Sequence, residues 1–250
     1  MTIALRTAGL TKRWGAFAAA SDVTLAFAEG ARHALIGPNG AGKTTLVNLL
    51  TGALAPSSGD IYLGGENITG LPQNQRVKRG LARTFQVSAL FDGLTVMESV
   101  MLAVCERSGA AWNGLLAPAG LQEETARARE LLERLRLEGD AGRMTRELAY
   151  GKQRLLEIAL ALATGPRILL LDEPAAGIPA GESREVFSAL ADLPAATTVV
   201  FIEHDMDLVF RFAERITVLV GGRVLMEGTP DEVARDARVR EVYLGEAQHG

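Results

Sequence analysis

The formal net charge of −4 over 250 residues argues against a nucleic-acid binder whose affinity depends on general basicity. The single cysteine, Cys105, cannot form an internal disulfide, and no stretch reaches the roughly 18 consecutive apolar residues of a membrane span. The N-terminus also lacks the basic start and apolar middle of a signal peptide, so the sequence predicts a cytoplasmic protein. The length suits one α/β domain, or one domain with an inserted subdomain.

The first part of the chain combines short alternating patterns with a glycine-rich turn. Residues 3–27 and 60–63 alternate in polarity, which predicts an antiparallel subdomain at the edge of the fold. Between them, Leu35 and Ile36 precede a GxxxxGKT pattern that opens an apolar helical run. Glycines there let backbone N–H groups wrap an anion at a helix N-terminus, so the pattern predicts a nucleotide-binding phosphate loop. Its residues are Gly37, Pro38, Asn39, Gly40, Ala41, Gly42, Lys43, Thr44 and Thr45.

The middle of the chain becomes helical between residues 94 and 162. Thr95 and Glu98 match a capping box that opens one helix. We expect a helical subdomain inserted at about residues 88–162. A second helix is predicted to bury Ala128, Leu131, Leu132 and Leu135. Its outward ion pairs are predicted to be Glu123–Arg127 and Glu130–Arg134.

Two adjacent carboxylates follow the apolar run 168–171, which has the pattern of a strand covered on both faces. A parallel strand delivers its carboxyl end to the ligand edge of the sheet, where the phosphate loop also lies. Asp172 is therefore predicted to hold the Mg²⁺ shell, and Glu173 to orient or deprotonate the attacking water. In the phosphate loop, Lys43 is predicted to reach the β- and γ-phosphates, and Thr44 to place its hydroxyl on Mg²⁺.

The last third of the chain carries further strand signals. Residues 198–202 form another continuous apolar run, and the pair Gly221-Gly222 predicts a tight hairpin between residues 218–220 and 223–225. Strand-like and helix-like segments alternate through most of the sequence. We therefore predict an α/β fold with a P-loop NTPase (RecA-like) core. Its sheet should be mostly parallel, accompanied by the antiparallel β subdomain and the inserted helices.

A short motif ahead of the strand at 168–171 resembles the signature of ABC transporter ATPases, usually LSGGQ followed by Q-R. Here it consists of Leu148, Ala149, Tyr150, Gly151 and Lys152, followed by Gln153 and Arg154 and a helix over 155–163. Other family landmarks occur in the family's order. Trp14 matches the aromatic that stacks on adenine, Gln86 the Q-loop glutamine, and His204 the switch histidine. The resemblance covers essentially the whole chain and implies an ATP-binding, ATP-hydrolysing subunit.

The family's mechanism assigns roles to these positions. It implies that two ATPase subunits close face to face around two ATP molecules. The signature of one subunit, residues 148–152, then contacts the γ-phosphate held by the other. The resemblance implies catalytic roles for Glu173, His204 and Gln86. It implies Mg²⁺ coordination by Thr44, Gln86 and Asp172.

The chain departs from the family pattern at several positions. Ala149 replaces the usual signature serine, so that hydroxyl donor is missing. Tyr150 and Lys152 replace the first glycine and the final glutamine, and Pro179 stands where the D-loop has aspartate. Gly151 and the following helix remain, so we expect the anion-binding geometry to survive.

Several fragments look like the ATPases of branched-chain amino acid importers. They are residues 148–151, 156–159, 172–177, 202–206 and 243–246. That family uses two different ATPase subunits, and this chain resembles the longer one, with its extra length around residues 107–120. Membership implies a homologous second ATPase, two transmembrane permease subunits and, indirectly, a solute-binding protein. It also implies a peripheral position on the inner face of the plasma membrane.

Other functions stay open at this point. Related subunits serve the import of urea, short amides and aromatic acids. A lipopolysaccharide-export ATPase also has tyrosine before glycine in its signature, but residues 202–206 and 243–246 fit it less well. ABC ATPases of DNA repair, chromosome structure or translation carry a long coiled coil or two tandem domains. A generic P-loop GTPase or kinase lacks the signature.

The added segment around residues 107–120 is apolar for a loop. One interpretation is a covered surface loop. The alternative hypothesis is that Trp112, Leu115 and Leu116 form an exposed apolar patch near the permease or the membrane surface.

Overall fold

The computed structural model describes residues 2–84, 90–109 and 121–246. Gln86 and the three apolar residues Trp112, Leu115 and Leu116 lie outside these ranges. Within the ranges, none of the helices combines the length and apolar composition needed to cross a membrane. The elements in chain order are β1 (Ile3–Trp14), β2 (Phe17–Val23), β3 (Ala26–Ala28), β4 (Arg32–Ile36), α1 (Lys43–Thr51), β5 (Ser58–Leu63), β6 (Glu66–Asn67), α2 (Gln73–Lys78), β7 (Leu81–Arg83), α3 (Val96–Ser108), α4 (Gln122–Arg134), α5 (Tyr150–Ala163), β8 (Ile168–Asp172), α6 (Ala180–Ala191), β9 (Thr198–Ile202), α7 (Met206–Phe212), β10 (Arg215–Val220), β11 (Arg223–Gly228), α8 (Pro230–Arg235) and α9 (Ala237–Glu246).

A central sheet has the strand order β11-β10-β4-β9-β8-β7. Its strands run parallel except for β11, which pairs antiparallel with β10 at one edge. Every residue of β8 and β9 is buried, as their continuous apolar runs predicted. The turn between β10 and β11 is Gly221-Gly222, both with positive φ, so the predicted hairpin is confirmed.

The antiparallel subdomain predicted from residues 3–27 and 60–63 is present as a second sheet. Its strand order is β2-β1-β5-β6, with β3 also paired to β1. Trp14 and Phe17 face each other across the end of the β1–β2 hairpin. Partners in an antiparallel pair project to the same side, so these two aromatic rings share one face.

The helices α3, α4 and α5 lie between β7 and β8 in the chain. Thr95 and Glu98 form the predicted capping box at the start of α3. On α4, Arg134 pairs with Glu130 at 2.9 Å as expected. The predicted Glu123–Arg127 pair is wrong, because Arg127 instead bonds Glu130 at 2.7 Å. The two carboxylate oxygens of Glu130 accept from one arginine each. The residues predicted to be buried by this helix, Ala128, Leu131, Leu132 and Leu135, are all buried.

The core lies on both faces of the central sheet, and β8 shows how the two sides are divided. Leu169 and Leu171 pack with the α3–α7 side, whereas Ile168 and Leu170 pack with α1 and the antiparallel sheet. This alternation follows the two-residue period of a strand. Because β8 is held from both sides, its carboxyl end at Asp172 is rigidly placed.

Candidate nucleotide-binding and hydrolysis site

The predicted phosphate loop connects buried β4 to α1, and its shape depends on close neighbours. At Gly37 (φ 151°) a Cβ would lie 2.1 Å from a carbonyl oxygen of β10. At Gly42 (φ 98°) it would lie 2.3 Å from a carbonyl oxygen of β2. Glycine is therefore required at both positions by space as well as by backbone conformation. The Gly222 N–H donates to the Ala41 carbonyl at 3.0 Å, so the β10–β11 turn supports the loop.

Lys43 lies inside the loop that it belongs to. It is only 7% exposed, and its Nζ donates to the carbonyl oxygens of Gly37 at 2.6 Å and Pro38 at 2.9 Å. Gly42 caps α1 without a side chain that could bind the first-turn N–H groups. A buried ammonium beside a helix N-terminus favours an anionic ligand, and phosphate is the anion that this geometry suits.

Asp172 ends β8 as a fully buried carboxylate. Its Oδ2 accepts from Arg83 at 2.6 Å, and Arg83 also donates to the Asn48 side chain at 2.6 Å. Its Oδ1 is buried and has no hydrogen-bond partner in the described part of the chain. A buried carboxylate oxygen without a donor is costly unless a cation binds it. Asp172 therefore fits the predicted role as a Mg²⁺ ligand.

Glu173 has a positive φ of 49°, which is unusual for a residue with a side chain. Such a conformation costs about 1–3 kcal/mol and persists only where the surroundings enforce it. Here the Glu173 N–H donates to the Ile202 carbonyl at 3.0 Å, and Arg154 donates to the Asp172 and Glu173 carbonyls at 2.9 and 3.1 Å. The result is that Glu173 Oε1 lies 3.0 Å from His204 Nε2.

A second glutamate, Glu203, connects the two loops behind this pair. Its buried carboxylate accepts from the N–H groups of Ala175 at 2.8 Å and His204 at 3.1 Å. Burial raises the pKa of Glu203, while the backbone hydrogen bonds partly oppose that shift. Glu203 thus positions the loop that carries His204 relative to the segment that follows Glu173.

One cavity of about 290 Å³ brings most of the predicted nucleotide site together. Its rim includes two large exposed aromatic side chains, Trp14 at 50% and Phe17 at 63% exposure. An exposed aromatic at the mouth of a pocket is suited to stacking on a flat base. The remaining lining residues are Ala19, Asn39, Gly40, Ala41, Gly42, Lys43, Thr44, Thr45, Glu173 and His204.

The predicted signature residues 148–152 are not among the described residues that line this cavity. α5 begins at Tyr150, within the motif, rather than at residue 155, and Ala149 is its N-cap. Leu148 is buried, Tyr150 is half exposed, and Lys152 forms an ion pair with the buried carboxylate of Asp140. The Gly151 N–H donates to a carboxylate, Glu182 Oε2, at 2.9 Å.

Several residues of the site were not singled out from the sequence. Arg83 and Glu203 stand within the fragments that carry Gln86 and His204, and Arg154 belongs to the Q-R pair, so a signal for them existed. For Glu182, in α6, the sequence contains no such signal. Gln86 lies outside the described residues.

Arg154 offers a direct test of how this site is held together. Its buried guanidinium bonds the carbonyls at the end of β8 and forms a 2.6 Å ion pair with Glu157, whose side chain is 11% exposed. Removing one partner of a buried pair costs about 3–5 kcal/mol, so we expect Arg154→Ala to lower the free energy of unfolding by that amount in urea. The control Arg127→Ala, in an exposed pair, should cost about 0–1 kcal/mol. A loss at Arg154 as small as the control's would contradict the interpretation.

The geometry described above is that of a nucleotide-hydrolysing P-loop protein, and comparison with known proteins defines its family. The family model described as ABC transporter matches residues 20–176, more than half of the chain, so the chain belongs to the ABC transporter family and is an ATP-hydrolysing transporter subunit. A second model, described as branched-chain amino acid ATP-binding cassette transporter, matches residues 223–249.

Relatives place the chain more narrowly, in the family of branched-chain amino acid transport ATP-binding proteins. It is 42% identical over 246 residues to the high-affinity branched-chain amino acid transport ATP-binding protein LivG of Salmonella typhimurium, an alignment that covers 96% of each chain. It is 40% identical over 250 residues to the corresponding protein BraF of Pseudomonas aeruginosa, covering 97% of this chain and 98% of that one.

Solved structures agree with the predicted fold class. The ADP conformation of MJ1267, an ATP-binding cassette of an ABC transporter, superimposes with a TM-score of 0.85 at 30% identity. It covers 98% of this chain and 100% of that chain. The dimeric structure of MJ0796, a bacterial ABC transporter cassette, gives a TM-score of 0.74 at 28% identity, covering 90% and 98%. The α/β P-loop NTPase prediction is therefore confirmed.

Proposed function

We propose that this subunit hydrolyses MgATP to drive the uptake of branched-chain or other hydrophobic amino acids. The observation that carries the proposal is a single cavity in which Trp14, Lys43, Glu173 and His204 converge from distant parts of the sequence. Trp14 offers a ring to the base, and Lys43 offers an ammonium to the phosphates. Glu173 and His204 form an acid–base pair near the γ-phosphate.

Catalysis in this scheme is positioning and electrostatic stabilisation. The loop N–H groups and the Lys43 ammonium hold the phosphate chain, and Glu173 orients or deprotonates the attacking water. His204, 3.0 Å from Glu173, would contact the γ-phosphate. Thr44 and Asp172, together with Gln86, would hold Mg²⁺, which neutralises charge on the β- and γ-oxygens when bound.

The signature, residues 148–152, serves a second nucleotide. Its separation from the chain's own cavity supports a composite site in which each subunit completes the partner's pocket. The solved MJ0796 cassette has the same fold and is dimeric, which supports the pairing of two ATPase subunits. We propose a homologous second ATPase and two permease subunits as partners, and indirectly a solute-binding protein. The subunit then lies at the inner face of the membrane through its permease contacts.

The cargo is inferred from the relatives, because the ATPase touches no cargo itself. The test is uptake by vesicles containing the complete transporter, with leucine, urea and an aromatic acid offered in separate assays. We expect ATP-dependent leucine uptake that disappears when this subunit carries Glu173→Gln. Uptake of urea or the aromatic acid without leucine would favour the related importers.

Trp14 provides a test of the base-binding part of the cavity. Base–aromatic stacking contributes about 1–3 kcal/mol, so Trp14→Ala should raise the KM for ATP by about tenfold with little change in kcat. The control Trp14→Tyr keeps an aromatic ring and should stay close to the parent. Steady-state phosphate release measures both constants, and an unchanged KM for the alanine variant would remove Trp14 from the base site.

A further inference from the structure

A carboxylate of the chain itself occupies the N-terminus of the signature helix. Glu182, in the first turn of α6, accepts from the Gly151 N–H at 2.9 Å. A Cβ at residue 151 would lie 2.5 Å from that same oxygen and 3.0 Å from the Glu182 Cβ. Glycine at 151 is therefore what allows the glutamate to approach α5 so closely.

The N-terminus of α5 suits an anion for general reasons. Its N-cap residue, Ala149, has no side-chain acceptor for the first-turn N–H groups. A negative charge there is stabilised by the helix dipole by about 0.3–1 kcal/mol. Glu182 supplies that charge in the single subunit, in the manner of a capping carboxylate.

The start of α6 is itself held in place. The Ser183 hydroxyl donates to the carbonyls of Ile178 and Pro179 at 3.3 and 3.2 Å, and Pro179 is the N-cap of the helix. The backbone around Glu182 is thus anchored, so its carboxylate can leave Gly151 by side-chain rotation alone. The segment between Glu173 and Glu182 links the hydrolytic pair to this capped helix.

The composite site proposed above brings a second anion to the same place. The γ-phosphate held by the partner ATPase would have to bind the α5 N-terminus, where Glu182 already accepts the Gly151 N–H. Two negative groups at that N–H repel each other by about 1 kcal/mol at 4 Å in water and more where water is excluded. The γ-phosphate and the Glu182 carboxylate are therefore alternative ligands of the α5 N-terminus, and only one of them can bind the Gly151 N–H at a time.

We propose that Glu182 is an internal competitor of the partner's nucleotide, and that its displacement from Gly151 sets the ATP concentration at which the two subunits close. This inference depends on the composite site of the proposed function. It makes Glu182 a regulatory residue: while it caps α5 the signature is blocked, and dimer closure requires enough bound ATP to displace it. The residue does not line the chain's own nucleotide cavity, so nucleotide affinity of the single subunit is left unchanged.

The test measures ATP-dependent dimerisation with the partner ATPase in a Glu173→Gln background, where turnover does not deplete ATP. Sizing with light scattering gives the ATP concentration at half-maximal dimer. We expect Glu182→Ala to lower that midpoint by about tenfold, which corresponds to about 1.4 kcal/mol. Glu182→Gln keeps the side-chain size but removes the charge, and it should lower the midpoint as well. Glu185→Gln, at an exposed position of the same helix, is the matched control and should leave it unchanged.

The outcomes separate this inference from the proposed function. A midpoint that stays the same or rises in both Glu182 variants, with normal ATP binding by the single subunit, overturns the competitor role. Failure of the Glu173→Gln parent to dimerise at saturating ATP instead overturns the composite site itself. Thermal unfolding of each variant shows whether the loss of the cap has destabilised the fold, and the Glu182→Gln variant keeps the test valid if Glu182→Ala is unstable.

Discussion

Glu173→Gln should lower the turnover of ATP by about 10²–10⁴-fold while leaving ATP binding intact, because general-base catalysis contributes rate factors of that size. Glutamine preserves the size of the side chain and can keep a contact with His204, 3.0 Å away, but it cannot accept a proton from water. Phosphate release measures the turnover, and a fluorescent ATP analogue measures binding.

The carboxylates of Asp172 and Glu203, at the same end of the sheet, already have hydrogen-bond partners within the chain. Asp172 is fully buried and bonded to Arg83 at 2.6 Å. Glu203 is buried and accepts the N–H groups of Ala175 and His204. Glu173 alone of these three lines the phosphate-loop cavity, so its chemistry cannot be taken over by a neighbour.

The matched control for this variant is Glu185→Gln, which removes an exposed carboxylate and should hydrolyse ATP at the parent rate. We also expect Glu173→Gln to prolong the ATP-bound dimer with the partner ATPase, since hydrolysis removes the γ-phosphate that bridges the two subunits in the proposed composite site. A variant that hydrolyses ATP at the normal rate would show that Glu173 is not the catalytic base.

The parts of the fold that could be predicted from the sequence depend on neighbours in the chain. The Thr95–Glu98 capping box, the Gly221-Gly222 turn and the buried strands at 168–171 and 198–202 each have a short-range signal, and each was confirmed. The phosphate loop belongs to the same class, because its glycine spacing reflects the local path of the backbone.

The contacts that could not be predicted join residues far apart in the sequence. The Arg154 guanidinium reaches the carbonyls at the end of β8, Glu203 reaches the Ala175 N–H, and Glu182 reaches the Gly151 N–H. Each of these contacts depends on how helices and loops pack. The sequence alone does not distinguish a charged residue that is buried from one that is exposed. The spacing of charges along α4 also allows Arg127 to pair with either Glu123 or Glu130, and the side-chain conformations in the structure give the pair with Glu130.

The start of a helix can also depend on tertiary contacts that the sequence does not show. Residues 155–163 have the apolar pattern of a helix, but α5 already begins at Tyr150. The first turn carries Gly151 and a tyrosine, neither of which is a strong helix former. Packing supplies what propensity lacks: Glu182 caps the Gly151 N–H, and the Lys152–Asp140 ion pair attaches the first turn to the preceding segment.

Lys43→Ala should weaken ATP binding by about 10²-fold or more, since hydrogen bonds to charged groups contribute about 1.5–3 kcal/mol each and the ammonium is expected to reach two phosphates. The loop is built around this group, whose Nζ bonds the Gly37 and Pro38 carbonyls at 2.6 and 2.9 Å. Lys12→Ala is the matched control, because its ammonium lies 5.5 Å from the Trp14 ring, beside the base end of the cavity. Binding of a fluorescent ATP analogue should fall far more for Lys43 than for Lys12. Equal affinity of Lys43→Ala and the parent would contradict the assignment of the phosphate loop, since no other lysine lines the described part of the cavity.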